Sequence, residues 1–375
     1  MKMIAKFSLA VASAGFIVMT TATAAKSVTL SYEGSIGRPA NLAEGEFPGV
    51  PGTLAVPQGI AVQETTGLIY VANGRFIDRI DVFDSQGNYI KGIGGTGSGP
   101  GQFDEPAAIA FDPDTGNLYA GDVFNDRVNV FDANGNFINS FGDFGSLVPG
   151  RAFFGPSSIT FDAEGFVYVG DFSNDKINKY TKEGEFISSI GSSGTEAGQF
   201  QGPAGVQISP VSGNFFVTDQ FNNRVQVLSP TGEPLLVFGE LGSGPGQFIQ
   251  PIDIEVDEYE NIYVMDSINS RVQVFDKNGN FLTQFGRPSG GRPPQLGEPS
   301  PYGNPLDLSP GVFNWTAGSY YSNSTLYVGD FFQGRVQVLD VSGQDPAAST
   351  PEPSSVLGLI ALMLGVTGVA RVRKS

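Results

Sequence analysis

The chain has 375 residues, is 40% hydrophobic and carries 51 Gly and 25 Pro, a composition that favours a large, turn-rich core over long helices. Its net charge of −17 repels phosphate backbones and anionic lipid head groups, so nucleic acid is not an expected partner. It holds neither Cys nor His, which rules out disulfides and every His- or Cys-dependent mechanism, because the usual general base, the thiol nucleophile and the commonest transition-metal ligand are missing.

Residues 1–25 open with Lys2 and Lys6, run through FSLAVASAGFIVM and end in TATAA. A charged start, a short apolar stretch and small residues at the cut mark a secretory signal peptide. Without this segment and the basic tail described below, 16 basic and 37 acidic residues remain, a charge near −21.

From there the chain repeats. Prolines at 57, 106, 156, 203, 251 and 305 open six units of about 48 residues. A first strand follows each proline: IAV, IAFD, ITFD, VQIS, IEVD and, less clearly, LDLS. A second strand runs through LIYVAN, LYAGD, VYVGD, FFVTD, IYVMD and LYVGD, and a third through segments such as RVNVFD and RVQVFD. A fourth closes every unit but the last, as in FINSFG. Val, Ile, Phe and Tyr bounded by Gly, Asp and Asn read as strands, and four antiparallel strands at this period make a propeller blade. The expected fold is all-β: a six-bladed β-propeller over 26–342, with VTLSYEGSIG (Val28 to Gly37) supplying the strand that the sixth unit lacks. That strand closes the ring and removes an edge that would invite aggregation.

The stretch GSGPGQF occurs at Gly97 to Phe103 and again at Gly242 to Phe248. A phosphate loop needs Lys-Ser or Lys-Thr after its glycines and a helix beyond. Gln-Phe and a strand follow here, so the run is punctuation between blades, with Phe103, Phe200 and Phe248 as plugs.

The succession of strand, Tyr-Val-x-Asp, loop and Asn-x-Arg-Val-x-Val-Phe resembles the NHL repeat over roughly residues 28–342. The resemblance implies a platform for protein or RNA, and in a few relatives a lyase. The lyases' metal-binding histidines have no counterpart in this chain.

Asp122, Asp171, Asp219, Asp266 and Asp330 end second strands, with Asn73 in that place in the first unit. Arg127, Lys176, Arg224, Arg271 and Arg335 stand five positions on, and Arg79 six. Such a pair holds a tight connection, and its recurrence in every unit marks architecture, since a catalytic group is needed once. The loops between them place Phe76, Phe124, Phe172, Phe221 and Phe332, with Asn125, Asn174, Asn222 and Asn269, on one face of the disc. Trp315 and the Pro/Gly loop Arg287 to Pro305 reach the same face. Aromatics repeated in exposed loops stack on sugar rings or anchor a protein partner; the alternative is that each ring folds down between blades.

The second residue after the blade proline is Gly59, Ala108, Ser158, Gly205, Asp253 and Asp307 in turn. Small residues suit a crowded inner strand, so two carboxylates break the rule. With Glu255 they form a candidate calcium site at the channel mouth; the alternative is pairing with arginines or facing channel water. DPDTGN (Asp112 to Asn117) resembles a calcium loop but lacks the downstream bidentate Glu, and reads as a turn.

After a linker over 343–350, residues 351–375 carry the triplet Pro351, Glu352, Pro353, an apolar run, and Arg371, Arg373 and Lys374. Together these resemble the PEP-CTERM sorting signal. That resemblance implies cleavage by an exosortase-type protease, transient membrane anchoring by the tail alone, and delivery to the cell surface or matrix. The function expected is a non-catalytic, exported propeller that binds an envelope protein or extracellular polysaccharide. The alternative is a carboxylate-metal-dependent lyase or hydrolase with its site at the channel.

Overall fold

The computed structural model describes residues 28–40, 49–75, 77–144, 155–289 and 306–343. The secretory segment, Phe76, most of the Pro/Gly loop, and the sorting residues Pro351, Glu352, Pro353, Arg371, Arg373 and Lys374 lie outside them.

Pro57–Gln63, Leu68–Asn73, Arg79–Phe83 and Tyr89–Gly94 hydrogen-bond in sequence order as one antiparallel sheet. The same sheet recurs from Pro106–Phe111 to Phe137–Phe141, from Pro156–Phe161 to Phe186–Ile190, from Pro203–Ile208 to Pro234–Phe238 and from Pro251–Val256 to Phe281–Phe285. The sixth combines Thr316–Ser322, Thr325–Asp330 and Arg335–Ser342 with the N-terminal strand Thr29–Ile36. Thr29 pairs with Ser342 and Ile36 with Val336, so the first strand closes the ring as the sequence predicts.

Burial follows position in the blade. Second strands such as Leu118–Asp122 are buried throughout, because neighbouring blades cover both faces. Fourth strands such as Phe137–Phe141 alternate between covered and exposed, because they form the wet rim. Third-to-fourth turns are set by an aspartate: Asp132 Oδ1 accepts from Asn134 N–H (2.9 Å) and Asn136 N–H (2.8 Å). Gly135 turns the chain there at φ +90°, a conformation only glycine adopts without strain.

The glycine-rich run is punctuation. Phe103, Phe200 and Phe248 are fully buried, and a Cβ on the glycine that ends each preceding strand would clash with the ring. Arg127 Nη2 donates to the carbonyls of Gly99 (2.9 Å) and Gln102 (2.9 Å), tying the loop to the third strand.

The sixth unit corrects one expectation. Its first strand is Thr316–Ser322, and LDLS at Leu306 to Ser309 forms no strand. Thr316 pairs with Asp330 as Pro106 pairs with Asp122 and Pro251 with Asp266. Gly318, not Asp307, therefore stands in the ring with Gly205 and Asp253. A repeat of the punctuation marks the true start: Pro310-Gly311-Val312-Phe313 matches Pro100-Gly101-Gln102-Phe103, three residues before the strand.

Candidate functional site

The repeated acids and bases are architectural. Arg127 Nε meets Asp122 at 2.9 Å, Arg224 meets Asp219 at 2.8 Å, Arg271 meets Asp266 at 2.8 Å and Arg335 meets Asp330 at 3.0 Å. Each arginine also reaches carbonyls of the preceding blade-to-blade loop, as Arg271 Nη2 does at Gly244 and Gln247. In blade one Asn73 replaces the aspartate and Asp81 takes the arginine, Arg79. In blade three Asn174 and Asn178 hold Asp171.

Most of the described loop-face aromatics fold down. Phe172 is buried, with its ring 5.7 Å from Phe221, which is half-buried. Trp315 packs 5.6 Å from Phe331 and 5.3 Å from Phe332, closing an apolar plug with Val56 and Ala317. Phe124 alone of the five described is an exposed side chain, at 45%. Burial between blades offered more apolar contact than a projecting ring retains, so the expected aromatic platform is not assembled.

The channel is different. A cavity of about 530 Å³ runs between the first strands of all six blades. Its lining is mixed: apolar side chains such as Ile60, Ile109, Val206 and Ile254 come from both sides, and Thr160, Gln207, Asp253, Glu255, Ser319 and Tyr320 concentrate the polar groups in blades three to six. Asp253 Oδ2 accepts from Ser319 N–H (2.5 Å) and Ser319 Oγ–H (2.9 Å). A Cβ on Gly205 would lie 2.9 Å from Asp253 Oδ1, so the small residue of blade four makes room for this carboxylate. Two residues along the same strand, Glu255 Oε2 accepts from Gln207 Nε2 (2.9 Å), and Thr160 Oγ–H donates to Gln207 Oε1 (2.9 Å). That last bond turns the amide so that its NH₂ faces the carboxylate.

Among the described residues lining this cavity there is no Lys or Arg. Burial pushes Asp253 up to about 6, against the pull of the two Ser319 donors. Burial, and then the negative charge of Asp253, pushes Glu255 well above the ordinary glutamate value. With no cation among the described lining residues, burial and the charge of Asp253 on Glu255 make it costly for both carboxyl groups to ionise.

The expected calcium triad is not formed. Asp307 is half-buried ahead of the sixth blade's first strand, its N–H bonded to Gln333 Oε1 (2.9 Å) and its carboxylate to Ser309 N–H (3.0 Å). The Ser309 bonds first, then the charges of Arg287 and Arg335, hold it below the usual carboxylate range. No group of three or more His, Cys, Asp or Glu able to hold a metal occurs among the described residues. Asp253 and Glu255 alone fall short of the six to eight oxygens that calcium takes. Sequence reasoning singled out this pair but missed Thr160, Gln207 and Ser319, and noted Tyr320 only as a neighbour of Trp315, not as part of the channel. Gln207 and Glu255 both lie four positions after a blade proline, the one signal available for the inner ring.

A family model described as a 6-bladed beta-propeller matches residues 58–142 and 205–284. No curated protein matches the chain in sequence. Among solved structures, virginiamycin B lyase from Staphylococcus aureus is 13% identical, with TM-score 0.51 over 84% of this chain and 99% of that one. A gluconolactonase from Xanthomonas campestris is 12% identical, with TM-score 0.51 over 83% and 98%. A protein of unknown function from Bacteroides thetaiotaomicron is 17% identical, with TM-score 0.58 over 84% and 76%. These likenesses are of fold. The expectation of a non-catalytic platform is corrected on this point: solved propellers of this architecture include a lyase and a gluconolactonase, so the fold is one that carries catalysis in other proteins.

Proposed function

We propose that the chain is a hydrolase or lyase whose active site is the channel, with Asp253 and Glu255 as its acid–base pair. The observation that carries this reading is two adjacent carboxyl groups enclosed together without a cation, so that one is ionised while the other keeps its proton. Asp253, steadied by two Ser319 donors, ionises first and is the base. Glu255, the more strongly raised, is the acid.

In hydrolysis Asp253 takes a proton from water as the oxygen attacks the substrate, and Glu255 delivers its proton to the oxygen of the bond that breaks. In elimination Asp253 takes the proton from carbon instead, and Glu255 again protonates the leaving oxygen. Thr160 and Gln207 position Glu255. Neither route needs His or Cys. The solved lyase and gluconolactonase support the choice of reaction class.

The test is a panel of lactones, esters and elimination substrates assayed with the purified chain. Turnover should follow a bell-shaped pH profile, and Asp253→Asn and Glu255→Gln should each lower kcat about 10²- to 10⁴-fold. Turnover indifferent to both substitutions, or none across the panel, sinks the proposal.

A further inference from the structure

The charge of the channel goes beyond what acid–base chemistry needs. At the end where the first strands finish, Glu258 joins Glu255 on the lining, beside Tyr320 and Tyr321. Tyr321 O–H donates to Glu258 (3.2 Å), and Tyr320 O–H donates to Glu64 (3.1 Å), so a fourth carboxylate stands behind the ring of Tyr320. No described lining residue answers these charges.

An independent observation lies at the opposite mouth. There Gln220 lines the cavity at 2% exposure, and its side-chain carbonyl oxygen is buried without a hydrogen-bond partner. A buried acceptor left unpaired is costly unless a ligand supplies the donor. The lining thus has acceptors at both ends, with apolar side chains such as Ile60, Ile109 and Ile254 between them.

We propose that the channel selects a substrate carrying a protonated nitrogen, an ammonium or guanidinium group on a compact apolar body. The charged group lies at the Glu255–Glu258 end, where carboxylates and aromatic rings both attract a cation. The apolar body lies against Ile60, Ile109 and their neighbours. A further donor reaches Gln220. An anionic substrate meets only like charge. The inference rests on the channel being the site and specifies what it admits.

Calorimetric titration of the full chain at pH 7.5 with cyclohexylammonium, cyclohexanol and cyclohexanecarboxylate tests it, since the ring is constant and only the charge varies. The ammonium should bind at least about tenfold more tightly than the alcohol, and the carboxylate should not bind. Glu258→Gln, at an exposed position, should weaken the ammonium at least about threefold and leave the alcohol unchanged. Affinity for the ammonium should rise between pH 5 and 7.5, because Asp253, held up to about 6, ionises over that range and adds its charge to that of Glu258 while Glu255 keeps its proton. The groups facing that pair are Ser319, Gln207, Tyr320 and Tyr321, none of them basic.

Equal binding of ammonium and alcohol, or tighter binding of the carboxylate, overturns the inference. Asp253-dependent turnover of neutral substrates without preference for a cation would overturn it too, while leaving the active-site reading standing. Selective ammonium binding, with no Asp253-dependent turnover of any amine-bearing ester or lactone, would uphold it and remove the active-site reading.

Discussion

Carboxylates line both the outer ends of the blades and the central channel, and they keep opposite company. At the outer end of blade five, Asp266 accepts from Arg271 Nε (2.8 Å), Asn269 Nδ2 (2.9 Å), Gln273 Nε2 (3.1 Å) and Ile249 N–H (2.9 Å). In the channel Asp253 has the two donors of Ser319, Glu255 has Gln207 and a backbone N–H of Tyr321, and no guanidinium faces either. Burial raises the carboxyl groups in both places: Asp330, at the outer end of blade six, is pushed up to about 6 despite Arg335. The outer groups have a buried counter-charge to lose, whereas the channel groups have only a desolvated charge to relieve. A group repeated in the blades is saturated by its partners. The pair that occurs once has no Lys or Arg beside it among the described lining residues.

That contrast predicts opposite responses to similar substitutions. Asp266→Ala strips the partner from Arg271, whose side chain is 8% exposed, and should cost about 3–5 kcal/mol in urea unfolding. A loss below about 1 kcal/mol would make the outer pairs ordinary surface pairs.

Asp253→Asn should do the reverse at neutral pH. The native fold holds the Asp253 proton up to about 6, against an ordinary 3.8. The unfolded chain loses that proton at lower pH, so stability falls as pH rises between these values. The amide imitates the protonated form, so Asp253→Asn should raise stability by about 1–3 kcal/mol at pH 7.5 and change it little at pH 4. Thermal melts at both pH values decide this, and a destabilised variant at pH 7.5 would mean that the charge is compensated.

Ser319→Ala removes the Oγ–H donor to Asp253 and leaves the N–H donor in place. The acid limb of the rate profile should move up by roughly half to one pH unit. An unmoved limb would detach Asp253 from it. The smallest effect is expected at the rim: Phe124, 45% exposed, should cost less than about 0.5 kcal/mol on replacement by Ala. A larger loss in melting would show that ring to be part of the blade packing.

The blades were legible because each is local: strands alternate in character, and Asp132, Asn134, Gly135 and Asn136 encode their turn within five residues. The closing strand was legible because one unit lacked a fourth strand and the N-terminus had one to spare. The sixth blade misled because Pro305 falls near the repeat period, while its real opening residue is Thr316. Asp307 was drawn into the ring by that one shift of frame. The described phenylalanines Phe124, Phe172, Phe221 and Phe332 do follow second strands, but sequence spacing does not report whether a ring points out or down.

The amino-acid sequence alone determined the strand order, the number of blades, the turn chemistry and the absence of His and Cys, because these depend on neighbours along the chain or on composition. Only the closed ring decided the site. Ser319 meets Asp253 across 66 residues, and Gln207 meets Glu255 across 48. Those contacts exist because six blades sharing one axis bring their first strands together, and burial there raises both carboxyl groups above their ordinary values.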